Sequence, residues 1–208
     1  MKWMNDLVKN IKTNSKLDDV DDPVGFGAPY AEKLKIPNPY QEFSPCNHEN
    51  LVKAISACRV VPKFFLEIGV NRNGSYSSTQ TIFNHIPQGG VYLGVDIDDR
   101  SYLNNPSKGI YTIKTSSSNF DLVSKMLKDL NVEFLDFILI DGWHSINQVL
   151  DDWEYTSLLS PDGVVAFHDT TAHPGPNAFI NSLNTDKWEV FANCCPDDFG
   201  FGYCYLKK

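Results

Sequence analysis

No stretch of the 208 residues is an unbroken apolar run of membrane-spanning length. The opening Met1-Lys2-Trp3-Met4-Asn5-Asp6 is broken by polar residues and lacks the apolar centre of a secretory signal, so the expected location is the cytoplasm, with no membrane partner. Basic residues are outnumbered, 18 Lys and Arg against 26 Asp and Glu, for a net charge of -8 and a pI near 5.0. That deficit argues against a nucleic-acid backbone or an anionic lipid surface as the main partner, because both reward an excess of cations. Five cysteines (Cys46, Cys58, Cys194, Cys195 and Cys204) make an odd set without the paired spacing of a zinc site. In a reducing compartment they read as small apolar residues. There is no internal repeat or low-complexity tract. A third glycine is also missing: after Gly69 the next is Gly74, whereas a dinucleotide fingerprint needs three closely spaced glycines around a pyrophosphate. A nicotinamide dehydrogenase is thereby disfavoured.

What is present is a chain with 42% hydrophobic and 12% aromatic residues, enough for a full core. Residues 46–208 read as one domain and residues 1–45 as an appendage. The appendage carries the acidic Asp18-Asp19-Val20-Asp21-Asp22, the turn-forming Pro23, Gly25, Gly27, Pro29, Pro37 and Pro39, and Phe26, Tyr30, Tyr40 and Phe43. That aromatic content is too high for a solvated linker. It predicts a short helix over Trp3, Leu7, Val8 and Ile11 followed by an irregular arm or lid over the ligand cleft, and a homodimer through this region is the oligomeric expectation.

The centre of the chain is Phe64-Phe65-Leu66-Glu67-Ile68-Gly69-Val70-Asn71-Arg72-Asn73-Gly74-Ser75, a buried strand that ends in an acid, turns through two glycines and opens a helix. Such a unit brings backbone N–H groups to a ligand at the carboxyl end of a parallel sheet. Around it the pattern predicts a helix over 49–58 with Asn47 as cap and another over 75–85. Strands follow at 91–96 and 109–114, and a helix capped by Asn119 over Phe120, Val123, Met126, Leu127 and Leu130. The strongest strand is 135–140, after which the capping box Ser145-Ile146-Asn147-Gln148 starts a helix stopped by Ser160-Pro161-Asp162-Gly163. A fifth strand over 163–167 runs into His168-Asp169-Thr170. A Pro/Gly loop at 173–176, a short helix near 178–183 and a closing antiparallel strand pair at 188–192 and 199–206 complete the domain. The fold class is therefore α/β: a Rossmann-like, doubly wound, mostly parallel seven-stranded sheet with an antiparallel C-terminal strand.

Three successive strands deliver an acid at their tips: Glu67, Asp96 and Asp141. Strand ends of one parallel sheet lie side by side, so these carboxylates converge on one crevice. A crevice rimmed by carboxylates repels phosphate and suits a cationic or hydroxyl-bearing ligand. Asp96, following the glycine turn at the second strand, stands where a ribose diol is held by a bidentate acceptor.

The segments F-L-E-I-G-V-N-R-N-G-S, Y-L-G-V-D, D-F-I-L-I-D-G-W-H-S and L-L-S-P-D-G-V-V-A-F-H-D-T resemble the class I S-adenosylmethionine-dependent methyltransferases. Within them the chain looks most like the small-molecule O-methyltransferase branch that includes catechol and macrocin O-methyltransferase-like and cephalosporin hydroxylase-like proteins. The resemblance covers residues 60–208. It implies S-adenosyl-L-methionine as cofactor and a small-molecule hydroxyl acceptor. Glu67, Gly69, Val70 and Asn71 would lie along the methionine moiety, with Gly74 and Ser75 shaping the turn. Asp96 and Ile97 would hold the ribose and its surroundings, Ser117 the adenine neighbourhood, and Asp141 the sulfonium end. Metal-dependent relatives hold Mg2+ with carboxylates at the ends of the fourth and fifth strands, which are Asp141 and Asp169 here. The third ligand position carries Thr170 in place of their Asn or Asp. Activation of the acceptor thus has two open routes: a divalent ion on Asp141, Asp169 and Thr170, or His144 or His168 as general base. A non-methylating metal-dependent enzyme of hydroxylase-like type, and a cofactor-binding protein without turnover, stand as alternatives on the same scaffold.

Overall fold

The computed structural model describes residues 43–70 and 77–208. The predicted N-terminal helix, residues 1–42 of the arm with the dimer contact, and Asn71, Gly74 and Ser75 lie outside the described residues; of the arm's last three residues, Phe43 is buried in the core and Ser44 and Pro45 start the first helix.

Seven strands form one sheet in the order β3-β2-β1-β4-β5-β7-β6. They are β1 Phe64–Ile68, β2 Val91–Asp96, β3 Ile110–Lys114, β4 Leu135–Ile140, β5 Leu159–His168, β6 Trp188–Phe191 and β7 Phe201–Leu206. The first five run parallel, and β7 lies antiparallel between β5 and β6. The order reverses between β1 and β4, and an open sheet of this kind takes its ligand at the carboxyl side of that switch point.

Both faces of the central strands are covered, which is why their sequences read as continuous apolar runs instead of alternating ones. Leu66, Ile68, Ile138 and Ile140 point to one face with Val123, Leu127, Trp153 and Phe179. Phe65, Phe137 and Leu139 point to the other with Leu51, Ala54, Ile55 and Ile82. Each fully buried Leu, Ile or Phe contributes roughly 1.5–3 kcal/mol, and the two layers together hold the sheet flat enough to align its tips.

The helices are α1 Pro45–Ser56, α2 Ser78–Phe83, α3 Phe120–Asp129, α4 Ile146–Trp153 and α5 Pro174–Ser182. Asn119 and Ser145 cap α3 and α4 as expected, each accepting from the backbone N–H three residues on. Two boundaries differ from the sequence reading for one reason. The first helix begins at Pro45 with Ser44 as its cap, leaving Asn47 inside the helix, and the expected loop at 173–176 is the first turn of α5. Proline is pre-organised for the first helical position, where its missing N–H costs nothing, so these prolines start helices. The fifth strand also extends back to Leu159 through the residues expected to form the turn. A shift in its register with β4 between Leu135 and Phe137 absorbs the irregular start. Among the described residues the second helix is shorter than its predicted span and is capped by Ser77.

Candidate functional site

The crevice is built on a crossing of backbones. After β1 the chain turns at Gly69 with φ +79°, and a Cβ there would lie 1.9 Å from the carbonyl oxygen of Asp141. Gly69 N–H donates to Val95 at 2.9 Å and Asp141 N–H to Ile68 at 2.8 Å, so the tips of β1, β2 and β4 are clamped together. Only glycine permits that approach and that φ at once.

Glu67 is fully buried. Its carboxylate accepts from the hydroxyls of Ser78, Thr79 (2.8 Å) and Tyr92, tying the start of α2 to the sheet. Burial pushes its pKa up to about 7 against the pull of those donors. Asp96 is also buried, and burial alone would raise its pKa. The Asp98 N–H (2.8 Å), the Arg100 guanidinium (3.0 Å) and the Val70 N–H (3.2 Å) outweigh that and hold it below the usual carboxylate range. Ile97 beside it is 71% exposed, and Trp143, on the other flank of β1, is 49% exposed. These two large apolar side chains, on the loops that follow β2 and β4, are open to contact with an apolar ring of a ligand. Ser117 Oγ accepts from Gln148 at 3.0 Å and its carbonyl accepts from the Tyr155 hydroxyl at 2.6 Å, placing the loop after β3 against α4.

At the ends of β4 and β5 the acids and imidazoles interlock. His168 Nδ1 lies 3.0 Å from Asp141 and 3.2 Å from Asp169, and its Nε2 lies 3.1 Å from the Asn47 amide. Asn47 in turn donates to Asp198 at 3.1 Å, which also accepts from Ser44. His144 Nε2 lies 2.7 Å from Asp169. Burial opposes a proton on His168, but Asp169 and Asp141 outweigh it and raise its pKa well above the ordinary value. Burial likewise would raise Asp169, yet His168 and His144 hold it well below the carboxylate range. Asp141 is raised, by burial first and by the Asp169 charge, against the pull of His168. Asp169 itself has φ +61°, uncommon for a non-glycine residue, and the strain aims its carboxylate into this cluster.

The structure therefore brings together Asp141, His144, His168 and Asp169 from the sequence-predicted set. The Thr170 hydroxyl, next to Asp169 in the chain, is buried with no hydrogen-bond partner. Three further residues were not expected. Arg100 closes on Asp96. Asp152 is buried with one carboxylate oxygen unpartnered and its pKa pushed up to about 6, mainly by burial. His173 stacks on His144 with ring centroids 3.7 Å apart. The sequence signal for Asp152 was an acid next to the inward stripe of α4, and for His173 the residue before a helix-starting proline. Oxygen and imidazole donors on three elements fit a divalent cation. A cavity of about 730 Å3 lies elsewhere, at the amino ends of β2 and β3, and is not part of this crevice.

The model of the rhamnosyl O-methyltransferase/CmcI family matches residues 50–193, well over half of the chain. A search of curated proteins by sequence found no match. Among solved structures, the MycE methyltransferase from the mycinamycin biosynthetic pathway, in complex with Mg, SAH and mycinamycin VI, is 14% identical with a TM-score of 0.54. That match covers 87% of this chain and 54% of MycE, so the chain spans about half of MycE's length. The O-methyltransferase from Bacillus cereus in complex with SAH is 16% identical with a TM-score of 0.56, covering 95% of this chain and 100% of that one. TomG from Streptomyces achromogenes, an O-methyltransferase involved in tomaymycin synthesis and in complex with SAM, is 14% identical with a TM-score of 0.55, covering 97% and 96%. At these identities the structural likenesses establish the fold, and the family match goes further: the chain belongs to the rhamnosyl O-methyltransferase/CmcI family.

Proposed function

We propose that this protein transfers the methyl group of S-adenosyl-L-methionine to a hydroxyl of a small molecule such as a sugar, a phenol or a secondary metabolite. The observation that carries the reading is the interlocking of Asp141, Asp169, His144 and His168 at the tips of β4 and β5, with a buried Asp96 at the tip of β2 of the same sheet, in a chain of this family. Two of the solved structures similar to it are O-methyltransferases holding SAH or SAM, and the MycE structure holds Mg and SAH.

When bound, the cofactor supplies an electrophilic methyl on a sulfonium. The chain's own residues hold, orient and deprotonate. Asp96, fixed by Val70 and Arg100, presents a carboxylate toward ribose hydroxyls, with Ile97 and Ser117 on the adenine side. Asp141 gives the sulfonium a negative neighbour. Gly69 and Val70 set the backbone against the methionine moiety. The proton of the acceptor hydroxyl is lost at the cluster of His144, His168, Asp141 and Asp169, and two routes share it. In one, His144, oriented by Asp169, takes the proton as a base. In the other, Asp141 and Asp169 would hold a divalent ion, which would lower the pKa of the acceptor hydroxyl. Positioning of acceptor and methyl in line supplies most of the remaining acceleration.

The division into a domain over 46–208 and an arm over 1–45 that covers the acceptor belongs to the same proposal, as does a dimer through the arm. A cytoplasmic location is supported by five unpaired cysteines and by the absence, among the described residues, of a helix long and apolar enough to cross a membrane. The test is incubation with methyl-labelled S-adenosylmethionine and a panel of hydroxylated sugars, phenols and macrolides, followed by mass spectrometry. A labelled methyl ether is expected. Tight cofactor binding with no methylated product across the panel would favour the binding protein without turnover.

A further inference from the structure

We propose that the ion of this site is a borderline divalent transition metal, of the zinc and cobalt class, held by His144, His173 and Asp169. One donor atom from each of these three residues lies within 4.8 Å of the other two. They come from three places in the chain: His144 from the loop after β4, Asp169 from the end of β5, and His173 from the position before α5.

The backbone is shaped to make this meeting. His173 N–H donates to the Asp169 carbonyl at 3.0 Å, a one-turn link that sets the two side chains side by side. Thr171 and Ala172 both donate to the Phe199 carbonyl, at 2.9 and 2.8 Å, pinning the turn from outside. The start of α5 presses onto the loop that carries His144: a Cβ on Gly175 would lie 2.0 Å from the His144 carbonyl oxygen. In the alternative group, Asp141, His168 and Asp169, the imidazole is tied to Asn47 of α1, outside the ligand set, whereas the 2.7 Å partner of His144 is Asp169, itself a member of the set. Both ring nitrogens of His168 already have partners, Nδ1 between the two carboxylates and Nε2 on Asn47. His168 thus reads as the brace that aligns Asp141 and Asp169, and His144 and His173 as the nitrogen ligands.

Donor chemistry then selects the ion. Mg2+ demands near-octahedral oxygen coordination and dehydrates reluctantly, whereas two imidazoles and one carboxylate suit the later first-row divalent ions. A three-ligand set also leaves positions open for an acceptor oxygen. With His144 ligating the ion it is no longer the base, so of the two routes above the metal one is selected, with His144 and His173 taking the ligand place given there to Asp141. That mechanistic consequence rests on the methyl-transfer reading, whereas the coordination itself rests on the side chains alone.

The test uses the full chain after chelator treatment and dialysis, titrated separately with Co2+, Zn2+ and Mg2+ by calorimetry. The visible spectrum of the Co2+ form is recorded, and SAH binding is measured in parallel. One equivalent of Co2+ or Zn2+ should bind at least about tenfold more tightly than Mg2+, with a Co2+ absorption typical of mixed nitrogen and oxygen ligation. His173→Gln and, separately, His144→Gln should each weaken Co2+ by about tenfold or more while thermal melting and SAH binding stay near those of the unaltered protein. Equal or tighter Mg2+ binding overturns the proposal, as does Co2+ binding that His173→Gln leaves unchanged. Loss of SAH binding in the unaltered protein would count against the methyl-transfer reading and leave the metal result standing.

Discussion

Gly69→Ala tests the crossing on which the crevice is built, and Gly89→Ala supplies its control. The two glycines have nearly the same backbone angle, φ +79° and φ +78°. Alanine in that region costs about 1–2 kcal/mol at either position. Their surroundings differ completely: a Cβ at position 89 meets nothing within 4 Å, whereas one at 69 meets the Asp141 carbonyl oxygen at 1.9 Å. Reaching ordinary contact requires the backbones to part by about 1.5 Å, and overpacking of this kind costs about 1–3 kcal/mol more. Gly69→Ala should therefore lose about 2–5 kcal/mol and Gly89→Ala about 1–2, measured by urea unfolding with the slope checked for constancy. Because the strain falls on Asp141, which lies 3.0 Å from His168, turnover of the folded Gly69→Ala protein should fall by about a hundredfold, as misplacement by 1 Å does. Gly89→Ala should retain full activity. Equal destabilisation by the two substitutions would show that the β1 and β4 tips are not in the contact described.

Asp169→Ala should cost more stability than Asp169→Asn, because asparagine tolerates φ +61° and alanine does not, yet both should lose activity; unfolding curves and turnover separate the two effects. Burial raises the native pKa of Asp152 from 3.8 to about 6, so between those values the folded state binds the extra proton and stability falls as pH rises. Asp152→Asn should remove about 1–1.5 kcal/mol of the decline between about pH 5 and pH 7.5, read from urea midpoints. Glu67, raised to about 7, acts in the same direction over a slightly higher window, so a decline will persist in that variant. Arg100→Met removes the cation 3.0 Å from Asp96, which should raise the Asp96 pKa and make cofactor binding fall off at a higher pH than in the unaltered protein as the solution is acidified, measured by titrating SAH across pH.

The architecture was legible because its signals are local and strong. Apolar runs buried on both faces marked β1, β4 and β5, and acids at their tips marked the crevice. The convergence of Asp141 with Asp169 followed from the parallel order alone. The cluster's wiring was not legible. That His168 would turn to both carboxylates depends on Asn47, 121 residues away in sequence, entering from a helix that starts at Ser44-Pro45, ahead of the start at Glu49 that the sequence suggests. His173 was read as loop because its prolines were taken as breakers, and nothing local shows that Gly175 lets α5 press onto the His144 loop. Glu67 was expected against the ligand, and the structure shows a further task, fastening α2 through three hydroxyls, which only the fold brings together.

The central claim is that this crevice takes S-adenosylmethionine, and calorimetric titration of SAM and SAH into the protein, with and without divalent ion, tests it most directly. Asp96→Ala and Ile97→Glu serve as variants, the second chosen because Ile97 is exposed and its replacement should leave the fold intact. Micromolar binding to the unaltered protein, lost in both variants while their thermal melting remains cooperative, is the predicted result. No binding of either compound under any of these conditions, or binding that neither variant weakens, would contradict the account.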